Sequence, residues 1–262
     1  MKTALLTVLL FGMIVSFSQC KKDKKDETPV PADTEKLGPE TGKVLHYNFN
    51  GNLRDGSGNN LHVADSSNIS YTTDRLGRSN QAAVFGGPSN PSHILTPSLG
   101  AKITGFPMSV SFWFKTPTVS SYQVLIKSDG FERPVTSGFW VSMGARPGQM
   151  GFMFADKTTG GSTGTNYVVT PQNIFSANTW YHIVVNVRGA NDYDFYVNGV
   201  KLTNCTYGGA ATTIAFYPEP VRGIMGNQDG FSYFFEGALD DYRVYSKTLT
   251  QQEVLDLYNF HP

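Results

Sequence analysis

Between Met108 and Lys115 the chain reads Met-Ser-Val-Ser-Phe-Trp-Phe-Lys, with Val110, Phe112 and Phe114 alternating against Ser109, Ser111 and Trp113. Successive side chains on a strand point to opposite faces, so this period of two specifies a strand with one face on a core. The alternation recurs at 44–49, and further strands are expected at 122–127, 138–143, 151–155 and 180–188. Segments 193–197 and 200–202 flank Asn198-Gly199, the pair that best tolerates the two positive φ angles of a tight hairpin turn. Only one helix is expected: Thr250 and Glu253 have capping-box spacing, and Val254, Leu255, Leu257 and Tyr258 follow to face a sheet. Twenty-seven glycines and 14 prolines fit a chain of many turns. Strands do not alternate with long helices, which excludes a parallel α/β fold.

The first 40 residues have a different character. Lys2 precedes an apolar run at 4–15, too short to span a bilayer as a helix and suited to a secretory signal over 1–19. Cys20 follows, then the charged run 21–27 and a proline-bearing stretch to residue 40. A cysteine placed there resembles a bacterial lipoprotein acceptor, whose several acyl chains give stable anchoring. Phe17 and Gln19 depart from the usual lipobox, so ordinary cleavage after Ser18 is the alternative. Lys25-Asp26-Glu27 resembles the export signal of Bacteroidetes surface lipoproteins; the alternative is a merely solvated tether. Residues 20–40 are thus expected to be a lipidated cysteine and disordered spacer, and 41–262 one folded domain. Membrane contact would be through the lipid alone, on an exported, outer-membrane and surface-exposed protein.

Twenty-one Lys and Arg balance 21 Asp and Glu, and residues 41–262 carry 15 of each. A neutral surface excludes the phosphate-neutralising patch of a nucleic-acid binder.

Several stretches together resemble the concanavalin A-like, laminin-G-like jelly roll of bacterial surface proteins. They are Leu45-His46-Tyr47-Asn48-Phe49-Asn50-Gly51-Asn52-Leu53-Arg54-Asp55, Ala82-Ala83-Val84-Phe85-Gly86-Gly87, the strand at Met108–Lys115, and Trp180-Tyr181-His182-Ile183-Val184-Val185. Phe235-Glu236-Gly237-Ala238-Leu239-Asp240-Asp241-Tyr242-Arg243-Val244-Tyr245 completes the set. The resemblance implies an all-β, two-sheet antiparallel sandwich with one short C-terminal helix. It implies less about function, because the fold hosts lectins, glycosidases and adhesion modules.

Glycoside hydrolysis requires two carboxyl groups flanking the scissile bond. Residues 41–262 hold only Glu132, Glu219, Glu236 and Glu253, and the Glu-x-Asp-x-Glu strand of glucanase relatives is missing. The chain therefore reads as a non-catalytic, lectin-like carbohydrate-binding module. A glycosidase built on two of Asp129, Glu132, Asp156, Glu219 and Asp229 is one alternative; a module binding an extracellular protein is another. Gly160-Gly161-Ser162-Thr163-Gly164 matches a hydrolase elbow in letters, but its polar flanks lack the strand and helix that elbow needs. His182 reads as structural, and Cys205 as an unreactive thiol.

The resemblance also implies one structural calcium ion, with Asp240 the first candidate ligand. Asp241, Asn50 and Asp55 could complete the oxygen shell. Adjacent strand positions send Asp240 and Asp241 to opposite faces, and two neighbouring carboxylates call for a cation. For a glycan, Trp140 is the first candidate platform, with Arg133, Arg146 and Asp156 as polar neighbours. Trp113 and Trp180 are expected to pack.

Overall fold

The computed structural model describes residues 38–129, 137–157, 164–218, 220, 222–227 and 232–260. Its strands run β1 (Lys43–Tyr47), β2 (Asp65–Ser67), β3 (Ser70–Thr72), β4 (Ala82–Gly86), β5 (His93–Thr96), β6 (Met108–Lys115), β7 (Gln123–Lys127) and β8 (Ser137–Met143). They continue as β9 (Met150–Asp156), β10 (Thr165–Val169), β11 (Tyr181–Gly189), β12 (Asp192–Val197), β13 (Val200–Lys201), β14 (Thr206–Gly209), β15 (Gly223–Met225) and β16 (Glu236–Tyr245). One helix, α1 (Gln251–Tyr258), follows. Two antiparallel eight-stranded sheets result. Sheet A is ordered β13-β12-β11-β6-β16-β4-β3, with β1 also on β16; sheet B is ordered β14-β10-β9-β8-β7-β15-β5-β2. The expected all-β sandwich with a single helix is the observed one.

The core lies between the sheets. Phe112, Phe114, Ile183, Val185 and Leu239 of sheet A meet Phe139, Val141, Phe152 and Phe154 of sheet B, each at most 1 % exposed. Each such side chain contributes roughly 1.5–3 kcal/mol on burial. The hairpin turn forms as expected, with Asn198 at φ 51° and Gly199 at φ 77°.

The half-buried reading of β6 needs correction, because its second face is buried too. Ser109 Oγ lies 2.6 Å from both Asn186 Oδ1 and the Lys247 carbonyl, and Ser111 Oγ lies 2.9 Å from His182 Nε2. The cover is α1. Its Val254 and Leu257 form a second apolar cluster with Val184, Tyr196, Tyr245 and Leu249 on the outer side of sheet A. The capping box closes as its spacing predicts: the Glu253 N–H donates to Thr250 Oγ1, and the Thr250 N–H donates to Glu253 Oε2. Gly38, at φ 73°, sits so close over this region that a Cβ would fall 2.3 Å from Arg243 Nη1.

Candidate functional site

The outer face of sheet B carries one continuous cross-strand row. Residues paired directly across an antiparallel ladder share a face. The register links Asp65 to Leu95, Leu95 to Ile224, Ile224 to Lys127 and Lys127 to Trp140. It continues from Trp140 to Met153, Met153 to Tyr167 and Tyr167 to Gly208. All eight strands contribute one residue. Trp140 and Met153 are half-buried, and Tyr167 is 37 % exposed. The flanking positions are small: Ser142 and Gly151 on one side, Gly138 and Ala155 on the other. A Cβ at Gly208 would lie 2.8 Å from the Tyr167 hydroxyl and 3.0 Å from Cζ. The tyrosine ring therefore lies down along the sheet. Trp140 and Tyr167 are two strand spacings apart, about 9.5 Å.

Of the residues expected around Trp140, the structure gathers few. Arg146 is exposed in the turn beyond Met143 and Met150, whereas Asp156 pairs with Ser137 at the far end of the same hairpin. Asp156 is also in phase with Phe152 and Phe154, so it faces the core side of sheet B, away from Trp140. Arg133 lies outside the described residues, as do Ser162, Glu132, Glu219, Asp229 and Cys20. The neighbours the sequence reading missed are Lys127, Met153 and Tyr167. Only register, which joins residues far apart in the chain, brings them to Trp140.

Three of the four residues assigned to calcium are engaged in other ways. Asp55 accepts from the N–H groups of His46, Ser57 and Leu61 and from the Ser57 hydroxyl, so it organises its own loop. Asn50, five residues before it, presents a buried side-chain oxygen without a hydrogen bond among the described residues. Asp240 and Asp241 do not point to opposite faces. Between Asp240, opposite Trp113, and Arg243, opposite Ser111, β16 uses three steps where β6 uses two. Asp241 takes the extra position at φ 54°. Such a bulge breaks the alternation and brings both carboxylates to the outer side. Arg75 Nη1 lies 2.5 Å from Asp240 Oδ2 and Nη2 lies 3.8 Å from Asp241 Oδ2. Arg243 Nη2 and His46 Nε2 approach Asp241 Oδ1 at 2.9 and 2.7 Å. The cations that these adjacent carboxylates call for are guanidinium groups, and Asp240 and Asp241, held by Arg75, Arg243 and His46, do not fit a calcium ion. Among the described residues no group of three or more His, Cys, Asp or Glu is placed to hold a metal.

Burial raises the Asp241 carboxyl, but Arg243 and the His46 hydrogen bond outweigh it and hold the group well below the ordinary range. Burial lowers His182 to about 3, so this imidazole is neutral as well as structural. Asp129 is fully buried and accepts the Tyr217 N–H at 2.6 Å. Cys205 is half-buried, and burial lifts its thiol to about 11, an unreactive form. Trp113 packs as expected, stacked on Tyr258 at 5.6 Å with Arg75 over its ring at 4.6 Å. Trp180 is half-buried, with the Lys115 ammonium 5.1 Å from its ring centre.

Known proteins resemble this chain at three levels. Domain 4 of AbnA, an extracellular arabinanase from Geobacillus stearothermophilus solved with arabinotriose, superposes with a TM-score of 0.56 at 20 % identity. That match covers 84 % of this chain and all of that one. The binding domain of botulinum neurotoxin serotype D superposes with a TM-score of 0.61 at 15 % identity, covering 84 % of this chain and 51 % of that one. Both likenesses concern the fold. Adhesion G-protein coupled receptor V1 of Danio rerio is 26 % identical over 199 residues, and this chain spans only 3 % of its length. The family model described as the concanavalin A-like lectin/glucanases superfamily matches residues 88–255, well over half of the chain. With two facing antiparallel sheets and this match, the protein belongs to the concanavalin A-like lectin/glucanase superfamily.

Proposed function

We propose that the domain is a non-catalytic carbohydrate-binding module that holds a glycan against the outer face of sheet B. The observation carrying this reading is the row of Trp140, Met153 and Tyr167 standing above small residues, with Tyr167 lying flat. Sugar rings present apolar C–H faces, which stack on such platforms while polar groups at the edge fix orientation. Domain 4 of the arabinanase, solved with arabinotriose, lends the ligand class some support. The non-catalytic part of the reading rests on Asp129 and Asp156, one buried on a backbone N–H and the other in phase with the core. The proposal includes export and anchoring through Cys20, which would display the module at the cell surface.

The test is retention of the full chain on immobilised arabinan, xylan, mannan and cellulose, repeated with Trp140→Ala and Tyr167→Ala. Each variant is expected to bind at least about tenfold more weakly at unchanged melting temperature. Retention by none of the polysaccharides, or variants that bind like the parent, would overturn the reading. Release of reducing ends would establish an enzyme instead. The relationship to an adhesion receptor favours a second reading, in which the same face contacts protein. Failure on every glycan together with selective capture of one purified extracellular protein would favour it.

A further inference from the structure

The opposite side of the sandwich carries a second cluster of aromatic and polar side chains at the surface. Trp113 and Lys115 alternate on β6 and both face outward on sheet A, about 7 Å apart along the strand. Beside Trp113 a depression of about 340 Å³ is walled by Trp180, Tyr258, Asn259, Leu76 and Arg75. Beside Lys115 a second depression of about 330 Å³ is lined by Glu236, Asn178, Thr72 and the β16 backbone. The Lys115–Trp180 contact stands between the two.

Polar groups elsewhere on this sheet are mostly committed: Asp240, Asp241 and Arg243 to one another's neighbours, Asp74 to Arg78, and Asp194 to Arg188 and Lys201. Lys115 and Glu236, by contrast, form no ion pair and no side-chain hydrogen bond among the described residues. Trp113 is 7 % exposed, and its buried indole N–H has no acceptor among the described residues.

Charge selects among ligands. Arg75 is answered by Asp240, and Lys115 and Glu236 have opposite signs, so the paired depressions carry no net charge. A uronate, sulfate or phosphate would find no surplus cation, and a quaternary ammonium would meet Arg75 and Lys115 already over the rings. We infer that this groove is a second glycan site for a neutral oligosaccharide, with one sugar ring against Trp180 and Tyr258 and the next between Lys115 and Glu236. Its ligand class rests on the carbohydrate reading above, but its residues are independent of Trp140. The domain would then hold two glycan chains on opposite faces.

Isothermal titration of the full chain with cellotriose and arabinotriose separates the possibilities. The parent is expected to bind two equivalents of at least one trisaccharide. Trp180→Ala should remove one equivalent, Trp140→Ala the other, and the double variant both. Trp180→Phe, which keeps a ring, should retain the second equivalent; unchanged circular dichroism guards against misfolding. One equivalent lost with Trp140→Ala alone overturns the second site and leaves the first. One equivalent lost with Trp180→Ala alone supports this groove and overturns the assignment to sheet B. No trisaccharide bound overturns both.

Discussion

The ring of Tyr167 fills the space above Gly208 that a side chain at that position would occupy. Gly208→Ala would press a methyl group against the far end of a movable side chain, not against backbone. Stability should change by less than about 1 kcal/mol, since exposed substitutions of this kind are mild. The tyrosine would tip off the sheet, and polysaccharide retention should weaken severalfold. A variant with lower stability but full binding would show that the flat pose is irrelevant.

Arg75 answers Asp240 where both side chains are at most 4 % exposed. Arg75→Met should destabilise the fold by about 1–3 kcal/mol near neutral pH, because a buried carboxyl loses its hydrogen-bond donor. Burial already pushes Asp240 up to about 8 against the pull of Arg75. With the pull removed, the folded-state value stays above the unfolded one, so stability is fullest in acid and is lost as pH rises through it. Urea midpoints at pH 6 and pH 9 check the sign: the deficit should be larger at pH 9.

His182 and His46 give the opposite dependence. Burial depresses both, and for His182, at about 3, the Asp241 charge only partly offsets burial and the nearby Arg75 and Arg243 charges. Unfolded imidazoles take up protons near pH 6.5, whereas the folded ones do so only lower. Stability is therefore full above pH 6.5 and falls as the solution is acidified. At pH 5 the loss from His182 is about 2 kcal/mol, from some 1.5 pH steps of differential protonation. Melting temperature should fall between pH 7 and 5, and His182→Gln should flatten that fall. An unchanged slope would refute the assignment.

Thr250→Ala removes one half of the capping box on α1 and should cost about 1 kcal/mol. Because α1 covers Trp113 and Val184, local amide exchange across β6 and β11 should speed up by more than exchange in sheet B. Equal changes in both sheets would mean that the helix is not a separable cover.

The strand at Met108–Lys115, the Asn198-Gly199 turn and the Thr250 cap were legible because each is a local pattern with one structural solution. The fourth strand of the hairpin array, Thr206–Gly209, was not: Thr-Tyr-Gly-Gly has the composition of a turn, and only the phenol of Tyr167 makes its glycine useful. The bulge at Asp241 was equally hidden, since nothing in Asp-Asp states that the second residue turns left-handed. Trp140 could be singled out from its segment alone. Its companions could not, because Met153 and Tyr167 join it through ladder register, and Arg146 and Asp156, close in sequence, are carried to opposite hairpin ends.

Gly38 rests on Arg243, behind sheet A, and five residues later β1 joins the ladder of β16. A pull applied at that entry would therefore load one layer of the sandwich while a polymer gripped by Trp140 held the other. The load would pass first through the hydrogen-bonded β1–β16 ladder, and only then into the aromatic interior, where many small contacts resist sliding together.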